Sequence, residues 1–227
     1  MIPLFKISFS VDANVIGDFP QVQGFSRTHP GNPPFYPSMN ASGSYPVDTQ
    51  YPMYRMQSKA KLTDLVSNSP LGKPLMISQK SLNVIHSLTI PDYQIFPLKF
   101  IYQGDLIESY YAFSLVFHPH YLERNISWKH SRFYLTNDYH RIRIKEYAFD
   151  SLEDWKKMRK EVDDEGEFGF LADIKIKYRE NFDLINFGWY PLISDYLCTE
   201  RLVDKILSEK LTGFVFESLP MDLFVND

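Results

Sequence analysis

Few residues of this 227-residue chain stand where side chains do chemistry. His118 and His120 flank Pro119 in "HPHY", and imidazoles two residues apart share one face of a strand, where a metal ion could bridge them. His130 and His140 follow at no ligand spacing, and neither HExxH nor CxxC completes a set. Pro119 predicts a strand end or turn at that point. Asp163, Asp164, Glu165 and Glu167 crowd around Gly166 and offer carboxylates to a divalent cation, but EF-hand order is missing, so a solvated loop is expected. Cys198 is the one thiol. Its apolar surroundings in sequence predict a buried, unreactive group; a single cysteine excludes an intramolecular disulfide and fits a reducing compartment. Neither GxSxG nor a phosphate loop occurs. Carboxylate pairs for acid–base work are assembled by a fold, not by local spacing. The sequence therefore nominates no catalytic, metal or cofactor-binding residue, and a protein that is not an enzyme is expected.

Two stretches point to surfaces instead. In "HRIRIKEY", Arg141, Arg143 and Lys145 alternate with Ile142 and Ile144; in "ADIKIKYRE", Lys175, Lys177 and Arg179 alternate with Ile174, Ile176 and Tyr178. A period of two predicts half-buried strands with a cationic outer side. Such charge protects a sheet edge. If the two strands are neighbours, it also forms a positive patch that steers an acidic protein partner. Nucleic acid is not implied, because the formal net charge is −4 and no interleaved aromatics or glycine-rich loop accompany the cations. No apolar run is long enough to span a bilayer and the N-terminus lacks a basic leader, so no membrane partner and a cytoplasmic location are expected.

Those surfaces need a scaffold. Hydrophobic residues make up 44% of the chain against 23% charged, which predicts a folded α+β domain over 1–227 rather than a disordered one. Between Asp12 and Tyr54 the prolines are too dense for a long helix or a central strand, yet the segment is full of rings. An irregular arm over 12–54, pinned by aromatic anchors, is expected. It is a packed coat over one sheet face, a partially disordered segment, or a partner-binding surface with Phe35, Tyr36 and Tyr45 as candidate contacts.

Beyond the arm, "YQIFPLKFIY" and "ESYYAFSLV" read as strands around the turn "QGDLI", and "SRFYLT" and "HRIRIKEYAF" as another pair. Ser151 caps a helix over "SLEDWKKMRKEV", with Asp154 at the third helical position. "FGFLADIKIKYRE" supplies a further strand. The sum is a mixed or mainly antiparallel sheet with a few short helices.

Residues 75–98 echo 196–219 without a gap. Ser78 falls on Thr199, Gln79 on Glu200, Lys80 on Arg201, Leu82 on Val203, Ile85 on Ile206 and Tyr93 on Phe214. Both segments read strand, hydroxyl N-cap, short helix, turn, strand. The hydroxyls are expected to accept from amides at the helix starts, for about 1 kcal/mol each. Glu200 suits the positive end of its helix, and Gly213 supplies a left-handed turn before Phe214. Duplication and shared local grammar both account for the echo.

The pieces Met76 to Lys80, Phe96 to Leu98, Tyr110 with Tyr111, and Leu211 to Phe216 ("LTGFVF") follow an order similar to that of bacterial immunity proteins from polymorphic-toxin systems, the group typified by a myxobacterial immunity domain. The resemblance covers about two-thirds of the chain and leaves out the arm and the segment around Trp155. Gln79 departs from it, standing where an acid is usual. The resemblance implies a non-catalytic inhibitor that binds and neutralises a cognate toxin domain, without cofactors. A generic intracellular protein-interaction module is the first alternative, and an uncharacterised enzyme with a fold-assembled site the second. Ser78 to Lys80, Thr199 to Arg201, Gly213 and Phe214 would then be scaffold, with recognition left to the arm's rings and to Arg141, Arg143, Lys145, Lys175 and Lys177.

Overall fold

The computed structural model describes residues 3–25, 44–67, 74–116, 118–137, 142–163, 169–177, 181–186 and 196–219. Phe35, Tyr36, Arg141, Arg179 and most of the acidic cluster lie outside these residues. The chain runs β1 (Leu4–Phe9), α1 (Ala13–Ile16), β2 (Val22–Phe25), β3 (Tyr54–Met56), β4 (Leu65–Val66), β5 (Leu75–Ser78), α2 (Gln79–His86), β6 (Tyr93–Tyr102) and β7 (Asp105–Leu115). It continues α3 (Pro119–Asn125), β8 (Arg132–Asn137), β9 (Ile142–Tyr147), α4 (Leu152–Asp163), β10 (Gly169–Asp173), β11 (Leu184–Asn186), β12 (Tyr196–Thr199), α5 (Glu200–Ser208) and β13 (Phe214–Ser218). This is the mixed α+β content the sequence predicts.

Among the described residues three sheets result, in the orders β2-β3-β6-β7-β5-β4, β11-β12-β1-β13 and β10-β8-β9. Only β3 with β6 is parallel among the described pairings. The echo is visible in the first two sheets. β4-β5-β7-β6 and β11-β12-β1-β13 share one order, and their registers coincide. Ile77 opposite Tyr111 corresponds to Cys198 opposite Phe5, and Ile95 opposite Phe113 corresponds to Phe216 opposite Ile7. In the first unit β7 follows β6 through a hairpin whose turn residues, Gln103 and Gly104, both have positive φ, as a two-residue turn with the right twist requires. In the second unit the same central place is taken by β1, from the far end of the chain.

The helices α2 and α5 cover the two units and share one core. Leu82, Ile85, Leu202 and Ile206 project from the helices onto Ile77, Phe113, Leu184 and Cys198 of the strands. A second core forms around Trp155, fully buried on α4 against Phe133, Ile126 and Ile174. Ser151 starts α4 as expected: its hydroxyl accepts from the Asp154 amide at 3.1 Å and donates to the Asp154 carboxylate at 2.8 Å.

Of the arm over 12–54, residues 26–43 lie outside those described; β2 falls between Pro20 and Pro30, and β3 begins at Tyr54 and lies inside the sheet between β2 and β6. Tyr45, proposed as a partner contact, is buried against Phe96, and the Gln94 side chain holds both its amide and its carbonyl, at 2.7 and 2.8 Å. It is an anchor, not a contact surface. At "HPHY", where a strand end or turn is expected, Pro119 opens helix α3 four residues after β7 ends, and its missing N–H costs nothing there. No helix among the described residues is long and apolar enough to cross a membrane.

Candidate functional site

The residues that carry the echo converge on two aspartates that sequence reasoning missed. Asp64 stands just before β4 and Asp183 just before β11. The Asp64 carboxylate accepts from the Ser78 hydroxyl at 2.7 Å, and its carbonyl accepts from the Ser78 amide at 2.9 Å. The Asp183 carboxylate accepts from the Thr199 hydroxyl at 2.9 Å, and its carbonyl from the Thr199 amide at 3.1 Å. Each also reaches across to the other unit. Asp64 accepts from the amide and hydroxyl of Thr212, in the loop after α5, at 2.9 and 3.1 Å. Asp183 accepts from the amide of Thr89, in the loop after α2, at 3.0 Å, and returns its own amide to the Thr89 carbonyl at 2.7 Å. The two units are thus stitched reciprocally, each helix start to the loop that follows the other helix.

The motif residues fall into this scaffold one by one. Ser78 also accepts from the Ser81 amide at 3.1 Å, the N-cap bond expected of it. Thr199 makes no such bond, which corrects the expected symmetry of the caps; its hydroxyl donates to Asp183 as that of Ser78 donates to Asp64, and this donation is the part the two helix starts share. Gln79 accepts from the Tyr111 hydroxyl at 2.6 Å and donates to Asn83, so an amide does here the accepting that an acid would do. Lys80 donates to the Glu209 carbonyl at the end of α5, where a cation complements the helix dipole. Arg201 reaches Asp183 at 3.3 Å, and Glu200 is exposed in the first turn of α5. Gly213 has φ +88, and a Cβ there would lie 2.1 Å from the Leu65 carbonyl oxygen, so the turn needs glycine on two counts. Phe214 stacks on Phe216 at 6.1 Å. An open hollow of about 450 Å³ lies over Glu200, Arg201, Asp204, Lys205 and Ser208.

The two basic stretches are not neighbours. β9 and β10 flank β8 on opposite sides, and the run after β10 leaves the sheet, with Ile174 and Ile176 buried in the Trp155 core. Lys175 lies 3.4 Å from Asp173, and the Lys177 amide donates to the Asn125 carbonyl. Among the described residues the two stretches therefore form no continuous positive patch. In β9 a bulge between Leu135 and Thr136 of its partner breaks the alternation. Arg143 lies over Tyr134 at 4.1 Å and Lys145 over Tyr147 at 4.6 Å, and these rings are on opposite faces of the sheet. Ile142 and Ile144, expected to be inward, are exposed.

Of the residues with chemical potential, His118 meets Asp92 at 3.1 Å and stacks near His120, and His130 meets the Ser127 hydroxyl at 2.9 Å. Among the described residues no three His, Cys, Asp or Glu side chains are grouped to hold a metal ion. Cys198 is buried in the shared core, and that burial pushes its thiol up to about 12, so it stays protonated. The same cause pushes Tyr110 up to about 12. Compared with known proteins, the chain matches no family model and no curated relative.

Proposed function

We propose that this chain is an immunity protein, which binds a cognate bacterial toxin domain and neutralises it by occlusion rather than by chemistry. The observation that carries the reading is the fate of the resembling residues. Ser78, Gln79, Lys80, Thr199 and Arg201 each spend polar groups on Asp64, Asp183, Tyr111 or a helix end, as a rigid scaffold demands. A stitched scaffold suits an inhibitor, because slow dissociation rests on a surface that loses little freedom on binding. Recognition then falls to exposed side chains outside the stitches. An immunity gene is expected to follow a gene for a long multidomain protein, and the test is coexpression with the C-terminal module of that protein. Protection of the cells, with a stable complex between the two purified proteins, is expected. Growth arrest despite soluble expression, and no complex, would sink the reading.

A further inference from the structure

β9 is the outlier of the surface. Five of its six residues are exposed, including two branched aliphatic side chains, Ile142 at 53% and Ile144 at 48%. Its inner edge pairs with β8, and among the described residues no strand pairs with its outer edge. Edges of this kind are ordinarily guarded by charges, bulges or cover, since an open backbone ladder with apolar neighbours recruits another strand. β9 has a bulge at Ile144 and two cations, but Arg143 lies over Tyr134 of β8, away from the outer edge, and Lys145 lies along its own strand over Tyr147. The one acid of the strand, Glu146, is already held by Arg132 at 3.3 Å. The bulge sets the two cations on opposite faces, so an added strand would meet positive charge above and below its plane.

We propose that β9 is a docking edge that takes a strand from an acidic partner protein. The incoming backbone extends the ladder, its aliphatic side chains cover Ile142 and Ile144, and its carboxylates meet Arg143 on one face and Lys145 on the other. A second copy of this chain fits worse, because its β9 offers the two cations a single carboxylate, Glu146, which Arg132 already holds. The edge stands on β9 alone; that its occupant is a toxin domain rests on the function proposed above.

The experiment has two arms. In the first, the catalytically inactivated upstream module is titrated against the wild-type chain, the double variant Ile142→Glu/Ile144→Glu and the charge variant Arg143→Glu/Lys145→Glu, with melting temperatures measured for all three. At least a tenfold weaker complex for both variants, at unchanged melting temperature, is expected. Equal affinity would overturn the docking edge while leaving the immunity function intact. If the wild type does not bind the module, the function fails and the second arm decides the edge. There, the chain is titrated in an amide NMR experiment with a capped strand peptide of glutamate and valine bearing carboxylates on both faces, and with its lysine counterpart. Shifts confined to residues 142–147, and only with the acidic peptide, support the edge; none, or equal shifts with both, overturn it. A dimer in sedimentation that the same substitutions dissolve would assign the edge to a second copy and also overturn the proposal.

Discussion

Asp183 accepts the Thr199 hydroxyl and the Thr89 amide through its two carboxylate oxygens, and so fixes the start of one helix to the exit of the other. Asp64 does the same in reverse, but it is only partly buried where Asp183 is 5% exposed. Water can replace a lost acceptor at Asp64; at Asp183 it cannot, and each buried donor left unsatisfied costs about 1–3 kcal/mol. Asp183→Ala is therefore expected to destabilise by about 3 kcal/mol, and Asp64→Ala by about half that. Urea unfolding of the two variants measures the difference, and equal losses would refute it.

Two glycines with positive φ make a paired test. Gly104 has open space where a Cβ would go, so Gly104→Ala meets only backbone strain, of order 1 kcal/mol. Gly213→Ala adds a collision with the Leu65 carbonyl oxygen and must displace β4 or the turn. A loss of more than about 3 kcal/mol, or no folded protein, is expected. Thermal melts of both variants decide, and matching melting temperatures would contradict the packing described.

The buried thiol of Cys198 links stability to pH. Its folded value, about 12, lies above the value near 8.5 of a free thiol. The unfolded chain therefore releases its proton first as pH rises. The thiol's contribution is complete below about pH 8.5 and is lost between there and about 12, at up to about 1.4 kcal/mol per pH unit. Cys198→Ala should flatten the profile from about pH 8.5 to 10, below the range where tyrosines such as Tyr110 add a slope of the same sign. Denaturant titrations at stepped pH check this. A thiol reagent should label the native wild type only as fast as it opens.

Trp155 fills the second core completely, and Trp155→Ala is expected to cost about 3–5 kcal/mol. Circular dichroism melts measure it, and a loss under 1 kcal/mol would mean that α4 is not the element that closes this core.

Much of the scaffold was legible because its signals are local. Ser78 before an amphipathic "QKSLNVIH", Ser151 before Asp154, and "QG" between long strands each specify their own geometry within a few residues. The gapless echo anticipated two units, but not the strand that completes the second, because β1 lies outside the repeating segment in sequence. Asp64 and Asp183 escaped for a related reason. "DLV" and "DLI" both precede a short strand, yet their spacing differs from that of the echo by two residues, so one alignment does not superpose both. A search for aspartates before paired aliphatics, allowing that shift, would have found them. The candidate surface was read least well. Alternation in "HRIRIKEY" implied an inward isoleucine face, and a bulge, which has no local signature there, turned Ile144 out and separated the two cations.

The central place of β1 has a consequence for biosynthesis. β1 (Leu4–Phe9) leaves the ribosome well before both of its partners, β12 (Tyr196–Thr199) and β13 (Phe214–Ser218). At about 5–20 residues per second, the nascent chain waits roughly 10–40 s with an apolar strand unmatched. During that interval the N-terminal segment is a natural client for chaperones, and mutations that make it stickier should reduce yield without altering the finished molecule.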